Sequence, residues 1–158
     1  KLAHAFGAHV SLFSRTTNKN EDAKALGADA VIISTDDAQM ESALGSFYLI
    51  IDTVPYAHDL NPYVGSLNTN GTLVVVGYLG PLDPMLVTVP LIMGRKSVAG
   101  SLIGGIAETQ ELLDFCGKHN ITSDVEVIDI QDINEAYERM LKSDVHYRFV
   151  IDLKSLKS

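Results

Sequence analysis

Four short runs made mostly of apolar residues limit this chain most: residues 8–13, 30–33, 47–52 and 72–76. A strand with one wet face alternates apolar and polar side chains, whereas a strand without that beat is shielded on both faces. Between the runs lie stretches with helical spacing, at 19–26, 36–44 and 60–67. Strand and helix in this alternation predict an α/β chain whose parallel sheet is covered on both sides, a doubly wound fold. The punctuation agrees. Gly27 closes one helix, Ser34 or Thr35 is the expected cap of the next, Asn70-Gly71 reads as a tight turn, and Gly77 stops the fourth strand.

The rhythm changes after Gly80-Pro81-Leu82-Asp83-Pro84. Pro90 argues against a regular central strand in the apolar segment that follows. Residues 97–102 read as an edge strand, 107–119 as an amphipathic helix with Leu112, Leu113, Phe115 and Cys116 inward, 125–130 and 147–153 as strands, and 133–141 as a helix. At the other end, residues 1–7 read as the last turns of a helix stopped by Gly7. A helix that short is not stable alone, so the sequence reads as a piece of a longer protein.

A net charge of −8 argues against a nucleic-acid or anionic-membrane surface. The single cysteine, Cys116, forms no internal disulfide and no cysteine-rich zinc site, and its apolar surroundings mark it as a small core residue. No apolar run approaches the roughly 18 residues of a membrane span, and no signal peptide is visible. These features predict a soluble protein of the cytoplasm. Five histidines carry no metal-ligand spacing, so no metal site is expected, and no hydrolase motif is present.

In doubly wound sheets the ligand meets the carboxyl ends of the strands. Ser14, Arg15 and Lys19 follow the 8–13 strand, where a ribose-binding acid would favour NAD. A hydroxyl with two cations suits the extra phosphate of NADP instead. The competing reading makes Asn18 and Glu21 a capping box and leaves both cations solvated. Thr53 and Val54 end the 47–52 strand, as ribose or nicotinamide contacts or as a plain turn before Pro55. Gly77 leaves room for a ligand or merely ends its strand. The run Gly100-Ser101-Leu102-Ile103-Gly104-Gly105 is not a dinucleotide fingerprint, but its backbone suits a flat polar group such as a carboxamide. Arg148 interrupts an apolar strand and calls for an anion, either a cofactor phosphate or a carboxylate of the chain.

These pieces together resemble the C-terminal part of the cinnamyl-alcohol-dehydrogenase group of zinc-dependent medium-chain alcohol dehydrogenases. The likeness is carried by Lys1-Leu2-Ala3-His4-Ala5-Phe6-Gly7-Ala8, Leu26-Gly27-Ala28-Asp29, Ile51-Asp52-Thr53-Val54-Pro55 and the stretch from Gly94-Arg95-Lys96-Ser97 to Ile103-Gly104-Gly105. Glu108-Thr109-Gln110-Glu111-Leu112-Leu113, Ile133-Asn134-Glu135-Ala136-Tyr137 and Asp144-Val145-His146-Tyr147-Arg148-Phe149-Val150 extend it over nearly the whole chain.

The resemblance implies a Rossmann-like sheet lacking its first strand and glycine-rich turn, so that the neighbours of that strand face each other across a gap. It implies a partial NADP-binding domain at 1–102 and, at 103–158, a segment returning toward an absent catalytic domain. It places Ser14, Arg15 and Lys19 at the 2′-phosphate of NADP(H), and Thr53 and Gly77 along the cofactor. Ser101, Leu102 and Ile103 fall at the nicotinamide, the last two also bordering the substrate, and Arg148 falls at the pyrophosphate. Zinc and every catalytic residue belong to the absent domain, so this chain alone is expected to be inactive. The implied reaction interconverts a primary alcohol and its aldehyde by hydride transfer, and the implied partner is a second copy joined along the 97–102 strand. The alternatives are a zinc-free quinone-reductase-like relative and a non-catalytic nucleotide-binding or dimerisation module.

Overall fold

The computed structural model describes residues 1–142 and 144–157, with the side chain of Lys19 outside that description. The chain divides into two units, Lys1–Gln110 and Glu111–Ser158. In chain order the elements are α1 (Leu2–Ala5), β1 (Ser11–Ser14), α2 (Asn20–Ala25), β2 (Ala30–Ile33), α3 (Asp37–Ser42), β3 (Phe47–Asp52), α4 (Asn61–Ser66) and β4 (Leu67–Val75). Then come α5 (Val89–Gly94), β5 (Ser97–Gly100), α6 (Ile106–Lys118), β6 (Glu126–Asp129), α7 (Ile133–Leu141) and β7 (Phe149–Asp152).

Every strand pair is parallel, as the apolar runs predict. In the first unit β1 pairs with β2, and β3, β4 and β5 form a separate sheet in that order. β1 and β3 are not bonded to each other, although the Phe13 and Phe47 rings meet edge to face at 5.4 Å. The core gathers on one face of the larger sheet. Ile50 and Leu73 pack there with Val64 of α4 and Leu67, ringed by Phe13, Phe47, Tyr63, Val75, Leu86 and Leu91.

Coverage on both faces is not what this chain shows. Leu49 and Ile51, on the other face of β3, are 56% and 58% exposed. The buried helix residues that meet this sheet sit on the Ile50 side alone, so the apolar beat of β3 exceeds what its own chain covers. Leu112 and Leu113 of α6 are likewise exposed rather than inward, while Phe115 stacks on His119 at 4.3 Å.

Three local expectations change. α3 is capped by Asp36, not Ser34 or Thr35, because the Asp36 carboxylate accepts the N–H groups of Ala38 and Gln39. Asn70-Gly71 is not a turn ahead of the strand but part of it. β4 starts at Leu67 and passes through these residues, with Asn70 at φ 63° and a register shift against β3. A Cβ on Gly71 would lie 2.8 Å from the Phe47 carbonyl oxygen, which is why glycine stands there. No capping box forms at Asn18, since residues 17–19 make a 3₁₀ turn whose Thr16 cap gives no side-chain bond. Pro90 does exclude a strand, by starting α5 within its first turn, where a proline needs no N–H partner.

In the second unit β6 and β7 pair in parallel beside α7. The buried Ser155 hydroxyl accepts from the Ile130 N–H at 2.9 Å.

Candidate functional site

The carboxyl ends of β3, β4 and β5 finish level, with Asp52 opposite Val75 and Val75 opposite Gly100. Three of the segments singled out in the sequence leave the sheet along this edge. Thr53 and Val54 follow β3, Gly77 follows β4, and Ser101, Leu102 and Ile103 follow β5. The edge is tied together by backbone. Val76 and Gly77 both donate to the Asp52 carbonyl, at 2.9 and 3.2 Å, and Ser101 donates to the Val75 carbonyl at 3.1 Å.

Gly77 is needed for a reason the sequence does not show. A Cβ there would stand 2.3 Å from the Val54 carbonyl oxygen and 3.0 Å from the Thr53 carbonyl carbon. What a side chain at 77 would strike is the neighbouring loop of this chain. Thr53 is exposed and Val54 half-buried, so the loop presents a hydroxyl and an apolar side chain above the edge. Leu102 and Ile103 are 86% and 90% exposed, a bare apolar step at its far end.

Ser14 and Arg15 stand apart, at the tip of β1 in the smaller sheet. The Ser14 hydroxyl folds onto its own turn, donating to the Thr16 carbonyl at 2.7 Å and facing the Thr16 N–H at 3.3 Å. The Arg15 carbonyl accepts from the Thr35 hydroxyl at 3.2 Å, which fixes the tip against the end of β2. The Arg15 guanidinium is exposed, and among the described residues it makes no ion pair. The Lys19 side chain lies outside the described residues, so its part in this tip is not visible.

Arg148 lies in the second unit and does not interrupt a strand. β7 starts one residue later, and the Arg148 side chain is exposed. Two carboxylates of that unit are engaged elsewhere: Glu126 and Asp144 reach Arg139 at 2.7 and 3.0 Å, with the Arg139 guanidinium 4.8 Å from the centre of the Phe149 ring. Of the two partners that sequence reasoning offers Arg148, the carboxylate is not seen among the described residues.

Sequence reasoning missed the polar group under the edge. Asp52, 8% exposed, accepts the Val54 N–H at 3.0 Å through Oδ1 and holds His58 Nε2 at 3.2 Å from Oδ2. An Asp and a His six residues apart in a loop follow no helical or strand period, so pattern alone gives no signal. Among the described residues no cluster of three His, Cys, Asp or Glu side chains suits a metal ion, and no helix is long and apolar enough to cross a membrane.

A family profile described as zinc-binding dehydrogenase matches residues 1–118. The mannitol dehydrogenase of Petroselinum crispum is 52% identical over 155 residues, covering 97% of this chain and 45% of that protein. Among solved structures, a cinnamyl alcohol dehydrogenase from Sorghum bicolor superposes with a TM-score of 0.89 at 43% identity, covering 98% of this chain and 44% of that one. The CAD from Helicobacter pylori complexed with NADP(H) gives a TM-score of 0.80 at 38% identity, over 97% of this chain and 43% of its own. The chain thus spans under half the length of the relatives it matches.

Proposed function

Because this chain belongs to the zinc-binding dehydrogenase family, we propose that it is the NADP(H)-binding part, with a returning C-terminal segment, of an enzyme interconverting a primary alcohol and its aldehyde. The observation that carries the cofactor choice is the tip of β1, where a hydroxyl stands beside an exposed guanidinium that makes no ion pair among the described residues. An adenosine 2′-phosphate supplies the anion that Arg15 lacks, and guanidinium–phosphate pairing is strong and directional. The NADP(H) complex of the Helicobacter pylori relative, at 38% identity, supports the same choice.

Each residue of the site has a task in this reading. Ser14, Arg15 and Lys19 bind the 2′-phosphate, and Thr53, Val54 and Gly77 border the dinucleotide where β3 and β4 end. Ser101, Leu102 and Ile103 orient the nicotinamide, and the exposed Leu102 and Ile103 also face substrate and exclude water. Arg148 pairs with the pyrophosphate. The cofactor, when bound, supplies or accepts the hydride. In this reading the metal that polarises the oxygen in such enzymes belongs to a catalytic domain that this sequence does not contain. The chain alone is expected to be inactive. The outer edge of β5, unpaired among the described residues, is the surface for a second copy of the chain.

The cofactor assignment is tested by Arg15→Ala in the complete protein. Losing one charge-assisted pair should weaken NADPH about tenfold or more while leaving NADH within about twofold. Equal losses for the two nucleotides, measured by fluorescence titration, would refute the phosphate role.

A further inference from the structure

We propose that Asn61 is a positioning residue for the loop that joins β4 to α5. It holds the far end of that loop, so that the near end stands beside Leu102 and Ile103 as a wall of the substrate pocket. The pocket rests on the hydride-transfer reading above. The mooring itself does not.

The loop, residues 76–88, leaves the sheet at its carboxyl edge and is fixed at both ends. At its start the Val76 and Gly77 N–H groups bond the Asp52 carbonyl. Toward its end it meets the side-chain amide of Asn61. Asn61 Nδ2 donates to the Met85 carbonyl at 3.1 Å, and Asn61 Oδ1 accepts the Val87 N–H at 2.8 Å. Leu86, between these two bonds, packs against the core of Ile50, Val64, Leu67 and Leu73.

The orientation of the amide is fixed by its other contacts. Its second N–H goes to Asp59 Oδ1 at 2.8 Å, and the same oxygen takes the Asn61 backbone N–H at 2.8 Å. Turning the amide over would set its oxygen against the Asp59 carboxylate and the Met85 carbonyl, and its NH₂ against the Val87 N–H. A polar residue at the start of a helix ordinarily serves that helix. This one reaches a segment 24 to 26 residues away.

Between the two moorings, none of residues 78–84 makes a hydrogen bond among the described residues, so the path of that stretch is set by its ends. Tyr78, one residue past the first mooring, is 89% exposed. Counted from the last pair in register, Val75 with Gly100, Tyr78 lies as far beyond β4 as Ile103 lies beyond β5. An aromatic ring and two aliphatic side chains thus leave neighbouring strand ends together, an apolar surface of the kind that lines small-molecule pockets. Without Asn61 the loop pivots about Gly77 and Tyr78 leaves that surface. The bonds to Asp52 keep Thr53, Val54 and Gly77 in place, so substrate contact is lost and cofactor contact is kept.

Two measurements test this. In the 158-residue chain, amide exchange should show the Val87 N–H protected. Asn61→Ala should remove that protection and leave the Gly77 N–H as slow as before. An unprotected Val87 in the wild type, or one equally protected in the variant, would overturn the mooring. In the complete protein, Asn61→Ala should raise KM for benzaldehyde about tenfold, with kcat and NADPH affinity within about twofold. An unchanged KM, or an equal loss of NADPH affinity, would overturn the positioning role. Reduction of glyceraldehyde but not of benzaldehyde by the wild type would overturn the apolar wall. Reduction of neither with NADPH would overturn the hydride-transfer reading and the wall with it, while Val87 exchange would still decide the mooring.

Discussion

A Cβ built at position 77 would lie 2.3 Å from the Val54 carbonyl oxygen, closer than any real contact of that kind. The obstacle is backbone, and it has little freedom to retreat, because the Val54 N–H is held by Asp52 and the Gly77 N–H bonds the Asp52 carbonyl. Gly77→Ala should therefore cost about 1–3 kcal/mol, the range for forcing atoms into occupied space. A lowered urea midpoint with an unchanged slope is the expected result. The same substitution displaces Thr53 and Val54, so NADPH affinity of the complete protein should fall with stability. An unchanged midpoint would mean that the loop is free to move, contrary to the two bonds that hold it. The glycine was visible in the sequence, but its cause was not. Strand-ending glycines are common, and nothing in the residues around 77 announces that the 53–54 backbone crosses so near.

At the scale of elements, the apolar strands of the first unit were legible as runs between turn residues, because those signals are local, whereas the polar first half of β4, residues 67–71, read as a helix end and a turn. α7 was legible for the same reason: its apolar and polar residues keep helical period, and Ala136 turns inward. The groups that lock β6 to α7 were not legible, since Glu126, Arg139, Asp144 and Phe149 are brought together only by folding. Their electrostatics give a signed prediction. The His146 N–H and then the Arg139 guanidinium hold the Glu126 carboxyl below its ordinary range. Hydrogen bonds lower Asp29 and Asp36 as well, through the Val10 N–H for the first and Gln39 for the second. A group lowered on folding lends stability above its unfolded pKa and loses it as pH falls through the folded value. Stability against urea should thus be level near neutrality and decline as pH drops through the carboxylate range, from about pH 4–4.5 downward. Glu126→Gln should flatten part of that decline, since the amide keeps an acceptor but binds no proton. A variant whose acid limb overlays the wild type would show that Glu126 titrates alike in both states.

For the molecule as a whole, the open question is what meets the surfaces that its own chain leaves bare. β5 bonds β4 on one side only, and all four of its residues are exposed. The strand Ser97-Val98-Ala99-Gly100 carries none of the usual guards of a free edge, neither proline nor charge within it. Ser101 donates to Val75, so by strand alternation Val98 and Gly100 turn their N–H groups outward. A two-fold axis beside this edge would lay β5 antiparallel against its own copy, satisfying those groups in both chains and making one continuous sheet. On this argument the chain should sediment at twice 17.1 kDa at tens of micromolar concentration. Val98→Pro removes an outward donor without touching the ladder to β4, as prolines do on edge strands. It should return the chain to 17.1 kDa while preserving its circular dichroism. A wild-type chain that stays monomeric at high concentration, or a proline variant that still dimerises, would show that the β5 edge is covered in some other way.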